Sequence, residues 1–201
     1  KDCKEFNDFR EMLEMRGLDA IQIAVPDHWH SLTAIAAARK KYDIYAEKPL
    51  ALTIAEGRAM VDAVEHNKII WQTGSWQRSQ TNFRVACELV RSGRIGDVHT
   101  VEVGLPTGST IEPQAEQPIP EGFDYDFWLG PAPEAPYTEK RCHWNFRWIL
   151  DYSGGQLTDW AAHHVDIANW GMDTESTGPV EVEGQGIFPT DGLWDTATDY
   201  W

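Results

Sequence analysis

The first half of the chain alternates between short apolar runs and longer segments in which apolar residues recur at helical spacing. The short runs predict strands at 19–26, 43–47 and 69–74, and the longer segments predict helices at 6–15, 27–40, 53–66 and 82–93. Thr53 and Glu56 have the spacing of a helix capping box. Strands that alternate with helices of this length are typical of right-handed β-α-β units on a parallel sheet.

The second half of the chain follows a different pattern. Residues 97–106 alternate apolar and polar side chains, which predicts a half-exposed strand, and the three prolines of residues 111–123 predict a loop. A helix is expected from Gly155 to Trp170, with strands near Val180–Phe188. The terminal stretch "DTATDYW" also resembles a strand. The change in pattern predicts two domains, with a boundary near Trp76.

Polar residues follow each strand of the predicted parallel sheet. The three strand ends read "VPDHWH", "AEKP" and "TGSWQR", and parallel sheets bind ligands outside their carboxyl ends. Pro49 keeps Lys48 out of the helical region and ends strand pairing. Lys48 is therefore expected to point at a ligand on this rim, with Glu47 close enough to orient it. The alternative is an ordinary Glu-Lys pair at a surface turn.

The segment "GGQLTDWAAHHVD" carries a second group of polar residues. Asp159, His163 and Asp166 are spaced i, i+4 and i+7, so that one helix would present them on one face. A carboxylate one turn from an imidazole raises its basicity, as a general acid or base requires. Two alternatives stay open at this point: a surface ion pair, and a metal site formed by Asp159, His163 and Asp166, with or without His28 or His30.

The pair of histidines in "DHWH" allows two further interpretations. His28 and His30 lie two residues apart at the start of a predicted helix. Backbone N–H groups at a helix N-terminus favour an anion such as a phosphate. Imidazole is also a common metal ligand, although no spacing in the chain matches a zinc signature.

Composition narrows the class of protein. The formal net charge of −15 argues against a nucleic-acid binder, which needs a basic surface. No apolar run reaches the roughly 20 residues that span a bilayer. Cys3, Cys87 and Cys142 lie far apart and predict reduced thiols rather than a disulfide framework. The ten tryptophans suit both a packed core and the faces of sugar rings. We expect a soluble enzyme that handles small molecules, without a nucleic-acid or membrane partner.

The ordered set of motifs resembles the Gfo/Idh/MocA oxidoreductases. The stretches "AVPDHWH", "AEKPLALT", "RSGRIGDVHTVEVG" and "GGQLTDWAAHHVD" carry the resemblance, which covers nearly the whole chain. It implies an α/β fold with a partial Rossmann parallel sheet over residues 1–76. Residues 77–201 would form the first part of an α+β substrate and oligomerisation domain with a large open, mainly antiparallel sheet. It also implies NAD or NADP as cofactor, and hydride transfer at a hydroxyl carbon of a sugar, inositol or related compound.

The resemblance also implies roles for individual residues. Lys48 would lie near the nicotinamide and the substrate, and His163 would be the acid/base, oriented by Asp159. The positions that line the cofactor in relatives, or follow the next strand, are Pro26, His30, Glu47, Lys48, Pro49, Gln77 and Arg78. The substrate-side candidates are Lys48, Arg141, Asn145, Arg147, Trp148, Tyr152 and His163. No metal site is implied.

The glycine-rich phosphate motif of the family does not occur in these 201 residues. Gly184 and Gly186 are not followed by a third glycine, since Pro189 stands at that position. The acidic residue that would hold the adenosine ribose is also missing. We expect the chain to be an internal fragment whose first β-α-β unit and whose C-terminal continuation lie outside it. The 201-residue chain alone is then expected to bind NAD poorly.

Three rival functions stay open on the sequence. Some relatives hold NAD tightly and use a transient oxidation to cleave or eliminate a glycosidic bond. A non-catalytic sugar-binding module would keep the same fold without the reaction, because fold does not fix activity. A metal-dependent hydrolase would bind zinc or manganese. For the full-length protein we expect a cytoplasmic location and a homo-oligomer. The substrate and the choice between NAD and NADP stay open.

Overall fold

A computed structural model describes residues 3–201. The chain divides into two compact units, Lys1–Gly74 and Ser75–Trp201. Within the described residues, none of the helices combines the length and the apolar character needed to cross a bilayer.

The first unit is built on a three-stranded parallel sheet. Its strands are β1 (Ala20–Ile23), β2 (Asp43–Ala46) and β3 (Trp71–Thr73), in the order β1-β2-β3. The connecting helices are α2 (Asp27–Arg39) and α3 (Ile54–Asn67), and a short helix α1 (Phe9–Met12) precedes the sheet. These elements lie where the sequence pattern predicts them, except that α1 is shorter than the predicted 6–15. Asp8 begins α1 by accepting a hydrogen bond from the backbone N–H of Arg10.

The core of the first unit lies between the sheet and the alanine-rich face of α2. Ile21, Ile23 and Ile44 are buried, and the register pairs Ile21 with Ile44 across β1 and β2. Ala37 and Ala38 are fully buried against them. Because alanine has almost no side chain, α2 packs closely on the strands.

One carboxylate connects α2 and α3. Thr53 and Glu56 form the predicted capping box, in which Glu56 Oε2 accepts the backbone N–H of Thr53 at 2.8 Å. The other carboxylate oxygen, Oε1, accepts a hydrogen bond from Ser31 Oγ at 3.1 Å. Ser31 lies on α2, so the first turn of α3 is held to its neighbouring helix.

The second unit contains short helices and a small antiparallel pair of strands. The α-helices are α4 (Thr81–Arg91), α5 (Tyr125–Leu129), α6 (Gly155–Asp159) and α7 (Ala161–Gly171). The 3₁₀ helices are Trp76–Ser79, Glu139–Arg141 and His143–Trp148. The antiparallel strands are β4 (Gly186–Ile187) and β5 (Asp199–Tyr200). A largely aromatic core holds α5 and the 3₁₀ helices together; its buried residues are Tyr125, Leu129, Tyr137, Cys142, Phe146, Ile149 and Tyr152. The predicted fold class is confirmed: an α/β chain with a parallel Rossmann-like sheet and antiparallel pairing after it.

Three predictions for the second unit are wrong in detail. Residues 97–106 form no strand, and Val101 and Val103 are exposed; alternation makes a strand only where a neighbouring strand completes the hydrogen-bond ladder. The predicted strands at 180–188 are reduced to β4 for the same reason. The predicted helix Gly155–Trp170 is divided at Trp160, whose carbonyl oxygen accepts from the N–H groups of both His163 and His164 and so begins α7.

Candidate active-site residues in the two units

The three parallel strands end side by side at one rim of the first unit. The N–H of Glu47 donates to the carbonyl oxygen of Ile23 at 2.9 Å, and the N–H of Gly74 donates to that of Ala46 at 2.7 Å. These are the last bonds of the ladder, and the chain turns away from the sheet after each of them. Lys48, immediately after β2, is half-buried at the carboxyl end of the sheet, where ligands of parallel sheets bind.

The turn that carries Lys48 is held by a buried histidine. The Lys48–Pro49 peptide bond is cis. Nδ1 of His30 lies 2.5 Å from the carbonyl oxygen of Pro49. Because a carbonyl oxygen can only accept, Nδ1 must carry the proton. His30 belongs to α2, so this helix and the turn after β2 are connected at the rim.

His30 has a second nitrogen that stays available. The side chain is 1% exposed, and Nε2 has no hydrogen-bond partner among residues 3–201. With the proton on Nδ1, the neutral imidazole presents Nε2 as an acceptor. A buried polar atom normally has a partner, so this nitrogen fits a ligand group that donates a hydrogen bond.

The Glu47 carboxylate occupies the space that a side chain at Gly74 would fill. A Cβ atom on Gly74 would lie 2.8 Å from both carboxylate oxygens of Glu47, which is closer than van der Waals contact allows. The carboxylate therefore covers the backbone at the end of β3, and a larger residue at position 74 would require the Glu47 side chain to move. Sequence reasoning missed this role of Gly74; the signal was a glycine at the end of a predicted strand.

The N-terminus of α2 already holds a carboxylate. Pro26 occupies the N-cap position, and Asp27, in the first turn, is buried. A negative side chain near the positive end of the helix dipole is stabilising, and it would repel a phosphate at the same place. His28 is also buried here. This argues against the phosphate site that the sequence suggested at "DHWH".

In the second unit, His163 is buried on α7 and meets an indole. Nε1 of Trp76 lies 3.3 Å from Nε2 of His163, and the two rings meet edge to face at 74° with centroids 5.7 Å apart. An indole N–H can only donate, so Nε2 of His163 accepts. Sequence reasoning did not single out Trp76, because nothing in its own stretch of sequence points to a histidine 87 residues away.

Asp159 has a cationic neighbour. Its side chain is buried, and its Oδ1 lies 3.7 Å from Nε of Arg147. The guanidinium of Arg147 also lies over the rings of Trp144 and Phe146, 4.3 and 4.7 Å from their centroids. The aromatic rings shield one side of the ion pair from water, which strengthens it relative to an exposed pair.

Asp166 belongs to a different group of charges. Arg78 donates to both carboxylate oxygens of Asp166 at 2.7 Å and also contacts Glu175. The hydrogen bonds to Asp166, followed by those to Glu175, raise the pKa of the Arg78 guanidinium. For Asp166, this is the surface ion pair that the sequence left as an alternative. The break at Trp160 also removes the single straight helix on which Asp159, His163 and Asp166 were expected to share a face.

The two cofactor candidates after β3 differ in what their side chains contact. The guanidinium of Arg78 is held by its two carboxylates and lies over Trp170, 5.4 Å from the ring centroid. Gln77 is buried, and its Oε1 has no hydrogen-bond partner in the described part of the chain. Its assignment and that of Arg78 to the cofactor stay predictions.

The substrate-side candidates lie in and around the aromatic core. Arg141 donates to the hydroxyl of Tyr152 at 3.3 Å and to the carbonyl oxygen of Pro136 at 3.2 Å. Tyr152 is fully buried, and burial raises its pKa. The carbonyl oxygen of Trp148 accepts from the N–H groups of Asp195 and Thr196. These contacts give Arg141, Tyr152 and Trp148 a part in packing.

Asn145 and Thr196 complete the polar residues of this region. Asn145 is half-buried, and its backbone N–H donates to Cys142. Thr196, which the sequence did not indicate, is 1% exposed with a hydroxyl that has no hydrogen-bond partner within residues 3–201. It packs against Gly155, where an added Cβ would come within 2.5 Å of the hydroxyl oxygen. Across the described residues, no group of three or more His, Cys, Asp or Glu side chains is arranged to hold a metal ion.

Sequence profiles of one oxidoreductase family match both units. The profile described as "Oxidoreductase family, NAD-binding Rossmann fold" matches residues 1–75, and the profile described as "Oxidoreductase family, C-terminal alpha/beta domain" matches residues 79–188. These matches define the class of protein, which is that of oxidoreductases with an NAD-binding Rossmann fold. The chain belongs to the Gfo/Idh/MocA family, as its motifs predicted.

Individual relatives are inositol dehydrogenases and similar proteins. The chain is 26% identical to myo-inositol 2-dehydrogenase of Thermotoga maritima over 172 residues, which cover 86% of this chain and 41% of the relative. It is 28% identical to scyllo-inositol 2-dehydrogenase (NAD(+)) of Bacillus subtilis over 177 residues, covering 88% and 41%. The chain thus spans about two fifths of the length of these curated relatives.

Solved structures agree with this fold. A probable dehydrogenase from Thermotoga maritima has a TM-score of 0.56 at 25% identity, covering 92% of this chain and 45% of that one. Levoglucosan dehydrogenase in complex with NADH and levoglucosan has a TM-score of 0.62 at 22% identity, covering 97% and 46%. The second likeness supports the fold alone, because the identity is low.

Proposed function

We propose that this chain is part of an oxidoreductase that transfers hydride between a nicotinamide cofactor and a hydroxyl carbon of a sugar, inositol or related compound. Family membership and the similarity to two inositol dehydrogenases support it. The observation that carries the proposal is the position of Lys48, half-buried at the carboxyl end of β2 in a parallel sheet. In this proposal, residues 1–76 are the C-terminal part of the dinucleotide-binding domain and 77–201 the first part of the substrate domain.

The rim residues of the first unit fit the nicotinamide side of NAD or NADP. The buried acceptor Nε2 of His30 suits a donor such as a carboxamide N–H. We assign Pro26, His30, Glu47, Lys48 and Pro49 to this side. The pyrophosphate motif does not occur in these residues, so they do not supply that part of the cofactor's binding. When bound, NAD or NADP supplies the hydride acceptor or donor.

Lys48 and His163 have complementary chemistry for a hydroxyl group. An ammonium group hydrogen-bonded to the substrate oxygen stabilises the negative charge that develops there as the proton leaves. A neutral imidazole takes up that proton as general base. We assign the first role to Lys48 and the second to His163. Asp159 would orient His163, and its contact with Arg147 holds this carboxylate in place.

The test is activity of the enzyme that contains this chain. With NAD or NADP and a panel of inositols and sugars, we expect reduction of the cofactor in step with substrate oxidation. Lys48→Ala should lower kcat/KM by about 10²–10⁴-fold, the range typical of a residue that assists proton transfer. Lys4→Ala, at an exposed lysine, is the matched control and should leave activity unchanged.

Two results would contradict the proposal. Near-normal turnover of Lys48→Ala would remove Lys48 from the reaction. Product formation without net change of NAD or NADP would replace simple oxidation by the transient-oxidation chemistry of a lyase or glycosidase. A homo-oligomer of the whole enzyme also belongs to the proposal, and light scattering of that enzyme measures it.

A further inference from the structure

We infer that Trp76 is a positioning residue that sets the protonation state of His163, an inference that rests on the proposed function of this histidine as general base. The indole N–H of Trp76 lies 3.3 Å from Nε2 of His163. The histidine is 7% exposed, whereas Trp76 is 49% exposed. The imidazole is therefore fixed by its surroundings, while the indole lies at the surface next to it.

The chemistry of the two groups allows only one arrangement of protons. The indole has an N–H and no acceptor in its ring plane, so it must donate. Nε2 must then offer its lone pair, which places the ring proton of neutral His163 on Nδ1. An imidazolium would set two N–H groups against each other at 3.3 Å. The contact therefore favours the neutral ring, the form that a general base needs before the reaction.

The ring geometry supports a hydrogen bond rather than stacking. The two rings meet at 74°, so the edge of one faces the other. A second indole, that of Trp160, also lies edge to face with His163, with centroids 6.4 Å apart. Trp76 is the one of the two whose N–H reaches the imidazole. This difference makes Trp160 a natural control.

The same contact requires a movement during the reaction. While the indole donates to Nε2, that nitrogen cannot accept a proton from a substrate. Since half of the Trp76 surface is open to solvent, the indole has room to turn away when a substrate hydroxyl takes its place. Trp76 thus holds His163 in the tautomer whose Nε2 can accept a proton. The substrate hydroxyl then replaces the indole as the hydrogen-bond donor to Nε2.

The experiment reads the tautomer of His163 directly. Two-bond ¹H–¹⁵N correlation spectra of ¹⁵N-histidine-labelled chain distinguish Nδ1–H from Nε2–H imidazole, and His163→Gln identifies the signal among the seven histidines. We expect the Nδ1–H form in the unaltered chain and a shift towards the Nε2–H form in Trp76→Phe, which keeps a ring but lacks the N–H. Trp160→Phe should leave the tautomer unchanged.

A dominant Nε2–H form in the unaltered chain would overturn the inference. This test needs no variant, so it does not depend on the folding of Trp76→Phe. An unchanged tautomer in folded Trp76→Phe also overturns it. In the complete enzyme, Trp76→Phe should lower kcat by about tenfold with little change in KM, as expected for a residue that orients a reacting group. Full activity of His163→Gln would instead overturn the proposed function, so the two failures are distinguishable.

Discussion

Nδ1 of His30 donates to the carbonyl oxygen of Pro49 across 2.5 Å and ties helix α2 to the turn that carries Lys48. The two residues lie 19 positions apart, and the bond is partly buried. It places a structural histidine directly behind the proposed catalytic lysine. A substitution at His30 is therefore expected to alter the position of Lys48, because Lys48 directly precedes Pro49 in the chain.

Replacing His30 by leucine should destabilise the first unit. The carbonyl oxygen of Pro49 would lose its buried donor, at a cost of about 1–3 kcal/mol in the free energy of unfolding. Urea denaturation followed by circular dichroism measures this loss. His66→Leu changes an exposed histidine on α3 and should alter stability by less than about 0.5 kcal/mol. Equal effects of the two variants would contradict the role of His30.

Gly74→Ala should be destabilising because the new methyl group meets the Glu47 carboxylate at 2.8 Å. We expect a loss of no more than about 1 kcal/mol, because the carboxylate is the far end of a flexible side chain and can move aside. Thermal and urea unfolding measure it. Glu47→Ala in the same chain should restore most of the loss, since it removes the group that the methyl contacts. Gly178→Ala, with nothing within 4 Å of the added Cβ, is the control.

Asp166→Asn should weaken the second unit modestly. It removes the charge from a carboxylate that accepts two hydrogen bonds from Arg78. Because both side chains are partly exposed, water screens the pair and the expected loss is about 1 kcal/mol. The loss should shrink as salt concentration rises. Asp62→Asn breaks the more exposed pair with Arg58 and should show no measurable change.

The three thiols should differ sharply in reactivity. Cys3 is exposed, whereas Cys87 and Cys142 are buried. Burial raises the pKa of Cys142 to about 12 and raises that of Cys87 as well. A raised thiol pKa leaves little of the reactive thiolate at pH 8. A disulfide reagent at pH 8 should modify one thiol quickly in the native chain and three in denaturant, and Cys3→Ser should abolish the fast reaction.

The isolated 201-residue chain should bind NAD weakly. The rim of the first unit offers the nicotinamide-side residues, but no glycine-rich pyrophosphate motif occurs in the sequence. Calorimetric titration of the chain with NAD should give a dissociation constant above the micromolar range. Micromolar or tighter binding would mean that the chain supplies its own phosphate contacts.

Local sequence patterns were sufficient for most of the first unit. The spacing of Thr53 and Glu56 specifies the start of α3, and the three apolar runs specify the strands, because these depend on neighbours in the sequence. Residues 97–106 show the limit of this reasoning. Their alternation is that of a strand, but a strand also needs a partner, which no local pattern reveals.

The candidate site also has features that local sequence predicts and features that depend on how distant segments pack. The position of Lys48 followed from the proline after it and the strand before it. The contacts of His30 with Pro49 and of Trp76 with His163 join residues 19 and 87 positions apart, and each depends on how helices pack. Asp166 does lie on α7 with His163, but an arginine from another element, Arg78, pairs with its carboxylate, which no local pattern predicts.

The side chain of Glu56 forms hydrogen bonds with both crossover helices of the first unit. One oxygen of its carboxylate closes the start of α3 and the other receives the hydroxyl of Ser31 on α2. The two crossover helices therefore share this carboxylate as a hydrogen-bond acceptor, in addition to their packing in the core. Amide exchange should report them opening together as one subglobal unit, and loss of this side chain should release both at once rather than fray either end alone.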